Sequence, residues 1–324
     1  MSKPKLLYYD VLQYQDSTLE KMHHVFHVIS LPDPINNTEA ILREISAIII
    51  PRGFYFDKIK IDNCPNLQVI GSSTLSIPNI DSEYAISKGI KICYLGNQER
   101  FLRTITPTVD ITWGLILALT RKVPWAHKSV CRGEWEGRSF GRTTPKMLSS
   151  MTLGIVGLGR LGSLVASCGK GFGMKAYYYS PSSRNATYER CINLLELATY
   201  SDIVSIHAHH TPETERLINV EFFQAMRPGS FIVNTSRGEL IDEIALLDAL
   251  KSGHLGGAAL DVLSGELEID FCDKLKDNPL VSYAKSHDNL IITPHYGGAT
   301  VDARLKTETK TIDLISEALT HINN

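Results

Sequence analysis

Three residues in the second half of this sequence have side chains suited to moving protons and holding charge: Arg237, Glu266 and His295. They stand in the runs Asn234-Thr-Ser-Arg237-Gly-Glu-Leu-Ile-Asp242, Gly257-Ala-Ala-Leu-Asp261-Val-Leu-Ser-Gly-Glu266 and Thr293-Pro-His295-Tyr-Gly-Gly298. Arginine is a rigid, permanently charged fork that can grip a carboxylate and polarise a neighbouring keto oxygen. Histidine gives or takes a proton near neutral pH. A carboxylate beside it favours the protonated imidazole and fixes its tautomer. Taken singly, each residue reads as an exposed arginine, a loop glutamate or a capping histidine. Taken together they suit hydride transfer to the carbonyl of a 2-oxo acid, or the reverse oxidation of a 2-hydroxy acid.

That chemistry needs a dinucleotide, and the sequence has a place for one. Thr152-Leu-Gly-Ile-Val-Gly-Leu-Gly-Arg-Leu-Gly162 reads as a strand, a glycine-rich turn and the start of a helix. Gly157 permits the tight turn, Gly159 lets backbone approach a pyrophosphate, and Gly162 allows the helix to pack closely on the strand. The helix N-terminus offers N–H groups and the positive end of its dipole to phosphate. Such a string of glycines is weak alone; the flanking strand and helix make it specific. An acidic residue is expected at the end of the next strand if the ribose 2′-hydroxyl is to be held. The chain has Tyr177-Tyr-Tyr-Ser180-Pro-Ser-Ser-Arg184 there. Ser180 would not repel a 2′-phosphate and Arg184 can pair with it, so NADP(H) is favoured over NAD(H). The bland alternative is a polar surface loop.

The elements that must position these residues follow an alternating plan. Apolar runs at 153–156, 176–179, 203–207, 231–234, 258–262 and 290–293 are separated by helical patterns at 161–170, 192–198, 220–226 and 243–252. Continuous apolar strands with crossover helices predict a doubly wound parallel sheet. A weaker alternation gives strands at 5–9, 47–50, 69–71 and 90–93, and 301–319 has a helical period. The fold expected is α/β with two Rossmann-like domains. A dinucleotide-binding domain at 113–298 is inserted into a smaller flavodoxin-like substrate domain formed by 1–112 and 299–324, with a cleft between them.

Composition narrows the classes. The 324 residues are 43% hydrophobic and 21% charged, with a net charge of −2 and no basic stretch, which argues against nucleic acid or an anionic membrane as partner. The longest apolar stretches, 45–51 and 113–119, fall far below the roughly 18 residues of a membrane span. No leader peptide is expected at the N-terminus. Six scattered cysteines without a close pair read as free thiols in a reducing compartment, so a cytoplasmic location is expected and no structural zinc site. His207, His209 and His210 lack the carboxylates of a metal site; a polar contact near the cofactor suits them better. His23, His24 and His27 have spacing compatible with one helix face.

These segments resemble the D-isomer-specific 2-hydroxyacid dehydrogenase family. The resemblance covers about residues 60–300 and is dense from 152 to 298, through the glycine turn, His207-Ala-His-His-Thr-Pro-Glu-Thr-Glu-Arg-Leu-Ile218, Met226-Arg-Pro-Gly-Ser-Phe-Ile-Val-Asn-Thr-Ser-Arg-Gly238 and Thr293-Pro-His-Tyr-Gly-Gly298. It implies that Arg237 binds substrate, His295 is the general acid/base and Glu266 is its partner. It implies that Arg160, Leu161, Thr211, Thr235, Ser236, Asp261, Gly297 and Gly298 line the cofactor, and that the protein is a homodimer formed through the cofactor domain. The similar formate dehydrogenases carry glutamine where Glu266 stands, so Glu266 favours hydroxy-acid chemistry.

The departures fall where substrate would be read. In place of a glycine-containing turn before Asn79-Ile-Asp81 the chain has Ser73-Thr-Leu-Ser-Ile-Pro78. The backbone around Thr74, Leu75 and Ser76 can still donate to a substrate carboxylate, although Pro78 removes one N–H. Arg52 is a candidate second cation. The polar segment between Glu266 and His295 reads as a solvated loop. A glyoxylate- or hydroxypyruvate-type reductase is the leading expectation. Phosphoglycerate-type oxidation and a cofactor-sensing scaffold without turnover are the alternatives, separated by whether a panel of 2-oxo acids is turned over.

Overall fold

Every strand pairing is parallel in the computed structural model, which describes residues 3–135, 146–181, 185, 187–268 and 270–323. Contacts divide the chain into two units, Met1–Ile105 with Ala299–Asn324, and Thr106–Gly298.

The first unit holds β1 (Lys5–Tyr9), β2 (His27–Leu31), β3 (Ala47–Ile49), β4 (Val69–Ser72) and β5 (Lys91–Tyr94), in the order β2-β1-β3-β4-β5. That is the flavodoxin-like order. Side chains alternate across the sheet, as strand geometry requires. Leu7, Ile48 and Ile70 pack on one face; Leu6, Tyr8, Ala47, Ile49 and Val69 pack on the other, against Ile312, Ile315 and Ala318 of the helix Val301–Asn323. His23 and His24 do lie on the helix Asp16–Val25, but His27 opens β2 and does not share their helix. That strand escapes the sequence pattern because it is a sheet edge with no fully buried residue.

The second unit holds β6 (Thr152–Val156), β7 (Lys175–Tyr179), β8 (Glu189–Arg190), β9 (Ile203–Ile206), β10 (Ser230–Asn234), β11 (Leu255–Leu260) and β12 (Leu290–Ile292). Their order, β12-β11-β10-β9-β6-β7-β8, is the dinucleotide-fold order extended by one strand, with its reversal between β6 and β9. Leu153 and Ile155 face Trp113 and Ile116 of the helix Pro107–Thr120 and Val165 of the helix Arg160–Gly171; Val156, Val204 and Ile206 face Phe222 and Leu246. The division between units falls at 105/106 and not after 112, because Pro107 begins a helix that packs on this sheet. The segment after Glu266 is solvated at Asp270, Asp273, Lys274, Lys276 and Asp277, as expected, but it is not a loop throughout. It contains the helices Phe271–Lys274 and Pro279–Ala284, the second capped by Asn278 and burying Leu280 and Tyr283 three residues apart. Among the described residues no helix is long and apolar enough to cross a membrane.

Candidate active site

In the second unit the candidate residues follow the carboxyl ends of neighbouring strands. Gly157 ends β6 with φ of +91°, and its N–H donates to the carbonyl of Tyr179 (2.8 Å). A Cβ at Gly157 would lie 2.7 Å from the His207 carbonyl oxygen, and one at Gly162 would lie 2.1 Å from the Gly157 carbonyl oxygen. Only glycine fits at either place. Gly159 is the cap of the helix Arg160–Gly171 and supplies no side-chain acceptor, and the space around it is open. The first-turn N–H groups therefore face outward for an anion to accept. Leu161 packs into the core below, and half-burial lowers the Arg160 guanidinium from its usual range. This cradle fits a dinucleotide pyrophosphate.

At the end of β7, Ser180 is buried and Arg190 donates to its carbonyl (Nη2, 3.0 Å). Arg190 is a cation that the sequence pattern did not single out; only the pairing of β8 beside β7 brings it there. Arg184 lies outside the described residues. His207, at the end of β9, hydrogen-bonds through Nε2 to Ser205 Oγ (2.9 Å), and burial pulls its pKa down to about 4. It is a neutral wall of the glycine turn. His209 and His210 are exposed, and Thr214 closes their turn by donating to the His209 carbonyl and accepting from the N–H of exposed Thr211. Among the described residues no three His, Cys, Asp or Glu are grouped to hold a metal.

β10, β11 and β12 lie side by side and end in register, Asn234 beside Leu260 and Leu260 beside Ile292. Arg237, Asp261 and His295 follow those ends. Buried Asn234 shapes the first turn: its amide donates to the Arg237 carbonyl (2.8 Å) and its oxygen accepts from Ser236 N–H (3.0 Å). Ser236 Oγ donates to the Ala208 carbonyl, and Thr235 is tied to Thr112. The half-buried Arg237 has no carboxylate partner among the described residues; Nη1 donates to the Ser236 carbonyl. That leaves most of its fork available to an anion.

His295 adopts φ of +47° and is held by its N–H, which donates to the Asp261 carbonyl (2.8 Å). Asp261 Oδ1 accepts from Thr293 Oγ1 (2.5 Å) and Tyr296 N–H (3.3 Å), and Oδ2 accepts from Gly297 N–H (2.9 Å). Asp261, buried at 2% exposure, thus builds the turn that presents His295. The imidazole Nδ1 meets Glu266 Oε1 at 2.5 Å, and Nε2 has no hydrogen bond among the described residues. Gly298 has open space around it.

In the first unit, Arg52 is exposed in a turn after β3, and Asn79 Nδ2 ties that turn down by donating to the Pro51 and Phe54 carbonyls (3.0 and 3.1 Å). After the adjacent strand β4, Ser72 and Thr74 share a hydrogen bond (2.8 Å) and Thr74 donates to the Ser76 carbonyl (2.6 Å). Ser73 bonds to the buried Tyr14 hydroxyl and to Thr311. The N–H groups of Leu75, Ser76 and Ile77 have no partner among the described residues. Successive backbone N–H groups without protein partners are donors that an anion can accept from. Asn79, Asn234 and Tyr14 are framing residues that sequence reasoning missed, since nothing in their spacing announces where their polar atoms go.

The family described as "D-isomer specific 2-hydroxyacid dehydrogenase, NAD binding domain" matches residues 113–297. The chain is 34% identical over 299 residues to the glyoxylate reductase of Thermococcus litoralis, covering 88% of this chain and 85% of that one. It is 33% identical over 283 residues to the D-3-phosphoglycerate dehydrogenase of Methanocaldococcus jannaschii, covering 86% of this chain but only half of that longer one. The solved D-lactate dehydrogenase of Aquifex aeolicus, complexed with NAD and lactic acid, superposes with a TM-score of 0.79 at 25% identity over 98% of this chain and 96% of that one. With the glycine cradle, the unpaired Arg237 and the Glu266–His295 pair in place, the chain belongs to the D-isomer-specific 2-hydroxyacid dehydrogenase family.

Proposed function

We propose that this chain reduces a small 2-oxo acid of the glyoxylate or hydroxypyruvate type to the D-2-hydroxy acid, using NADP(H) in preference to NAD(H). The observation that carries the reading is the 2.5 Å contact between Glu266 and His295 Nδ1, on a turn one strand removed from the one that follows Arg237's strand. With Nδ1 committed to the carboxylate, Nε2 is the proton donor to the keto oxygen, or the acceptor in the oxidative direction. Arg237 grips the substrate carboxylate and draws electron density from the carbonyl. Glu266 fixes the tautomer and favours the charged imidazole. Arg52 and the N–H groups around Thr74, Leu75 and Ser76 add substrate contacts.

Gly157, Gly159, Arg160, Leu161 and Gly162 would hold the pyrophosphate, with Thr211, Thr235, Ser236, Asp261, Gly297 and Gly298 along the cofactor. When bound, the nicotinamide supplies the hydride for C2 of the substrate. The preference for NADP(H) is supported by Ser180 at the end of β7, where no carboxylate is present to hold a ribose 2′-hydroxyl or repel a 2′-phosphate; Arg184 is the proposed phosphate partner. A homodimer in the cytoplasm completes the reading, consistent with six unpaired cysteines.

Oxidation of NADPH and NADH, measured separately with glyoxylate, hydroxypyruvate, pyruvate and phenylpyruvate, tests it. Turnover that prefers NADPH is the expected result. Turnover with NADH alone overturns the cofactor assignment. Tight cofactor binding with no turnover of any acceptor overturns the reaction and favours a cofactor-sensing role.

A further inference from the structure

The turn after β11 has an unusual set of partners. Three consecutive backbone N–H groups each donate to a different carboxylate: Leu263 to Glu266 Oε2 (3.3 Å), Ser264 to Glu243 Oε1 (2.8 Å) and Gly265 to Glu239 Oε1 (3.2 Å). The segments are forced together at Gly238, where a Cβ would lie 2.0 Å from the Leu263 carbonyl carbon. Glu243 is the first residue of a helix fixed by its cap, Asp242, which accepts from Ile244 and Ala245 (both 3.1 Å). Among the described residues none of the three glutamates is paired with Lys or Arg. Among the described residues the one basic side chain that any of them meets is His295, at Glu266.

Three carboxylates gathered on one turn repel one another. Burial raises the Glu243 pKa, and the nearby Glu239 and Glu266 raise it further. Among the described residues of this unit, the other charged group bound to the His295 turn is Asp261, through both of its oxygens, while Arg237 follows β10, two strands from the one that precedes His295. We propose that Glu239 and Glu243 are positioning residues that hold Glu266 against His295 and, by their charge, set the pH window in which His295 keeps its proton. The inference rests on the acid/base role proposed above for His295.

The sign follows directly. Reduction needs the protonated imidazole, and nearby negative charge favours that form. Replacing Glu239 or Glu243 by glutamine keeps an oxygen to accept from the turn but removes the charge. The test is the pH profile of reductive kcat/KM for the wild type, Glu239→Gln, Glu243→Gln and the double variant. The alkaline fall in activity is expected to move to lower pH by about half a unit in each single variant and about one unit in the double. The plateau should change less than about threefold. A lowered melting temperature with an unmoved profile would reduce both residues to structural props and overturn the proposal. Should Glu243→Gln fail to fold, Glu239→Gln carries the same test alone. Absence of turnover in the wild type would overturn the proposed reaction and leave this inference to an NMR titration of the His295 ring in wild type and Glu239→Gln, where equal midpoints overturn it.

Discussion

Two turns follow the carboxyl ends of parallel strands, and they are built in opposite ways. The 157–162 turn after β6 depends on glycine: side chains would collide with the His207 and Gly157 carbonyls. The 72–78 turn after β4 contains no glycine at all and is held by hydroxyls, Ser72 to Thr74, Thr74 to the Ser76 carbonyl, and Ser73 to Tyr14 and Thr311. The first shape is imposed by what is absent and tolerates no side chain at Gly157 or Gly162. The second is assembled partly from hydroxyls within the turn and partly from Tyr14 and Thr311, more than fifty residues away, and each contributes a modest share. A turn of the second kind can be re-tuned one hydroxyl at a time, which suits the part of a site that selects among substrates.

The comparison can be broken at graded points. Replacing His295 by glutamine should lower kcat/KM by about 10²–10⁴-fold for every acceptor while cofactor affinity, measured by fluorescence titration, stays unchanged. An equal loss of cofactor binding would show that the turn itself had collapsed. Gly157→Ala should cost about 3 kcal/mol in denaturant unfolding and abolish tight cofactor binding, since it combines a left-handed φ with a backbone collision.

A smaller effect is expected from His207, the wall of the glycine turn. Folding holds its pKa near 4 against about 6.5 in the unfolded chain. The unfolded state therefore binds the proton first, and stability is lost as pH falls from about 6.5 towards 4. The loss should approach about 2 kcal/mol after allowance for partial exposure, and His207→Gln should remove it, as urea midpoints at pH 7 and pH 5 would report. The smallest effects belong to the hydroxyl turn. Thr74→Ala should raise KM for the oxo acid about tenfold and Tyr14→Phe about threefold, each with kcat and cofactor affinity nearly constant, because one hydrogen bond is worth about 1 kcal/mol. Steady-state kinetics with the best acceptor decides, and a fall in kcat with KM unmoved would assign the turn to chemistry and not to binding.

How much of this was legible in the sequence divides along the same line. The β6 strand, its glycines and the helix behind them could be read because sterics and periodicity leave few other meanings. Arg237, Glu266 and His295 stood out by type and by their place after apolar runs. Asp261 did not reveal its part: residue type does not say that both of its oxygens close the 293–297 turn. Edge strands β2 and β8 carry no buried residues, so the apolar pattern passed over them. The polar stretch after Glu266 concealed Leu280 and Tyr283, two residues sufficient to anchor a helix on the core.

The helix Val301–Asn323 closes one face of the first unit's sheet, placing Ile312, Ile315, Ala318 and Leu319 among its buried side chains. During synthesis this has a consequence. When residue 105 leaves the ribosome, that face is covered only in part, by Tyr14, Met22 and Phe26, and nearly two hundred further residues must emerge before the rest of its cover exists. The inserted unit, whose strands and helices are contiguous in the chain, can mature first. The unit begun before the insertion is then the later of the two to become native, exposed meanwhile to chaperones and proteases.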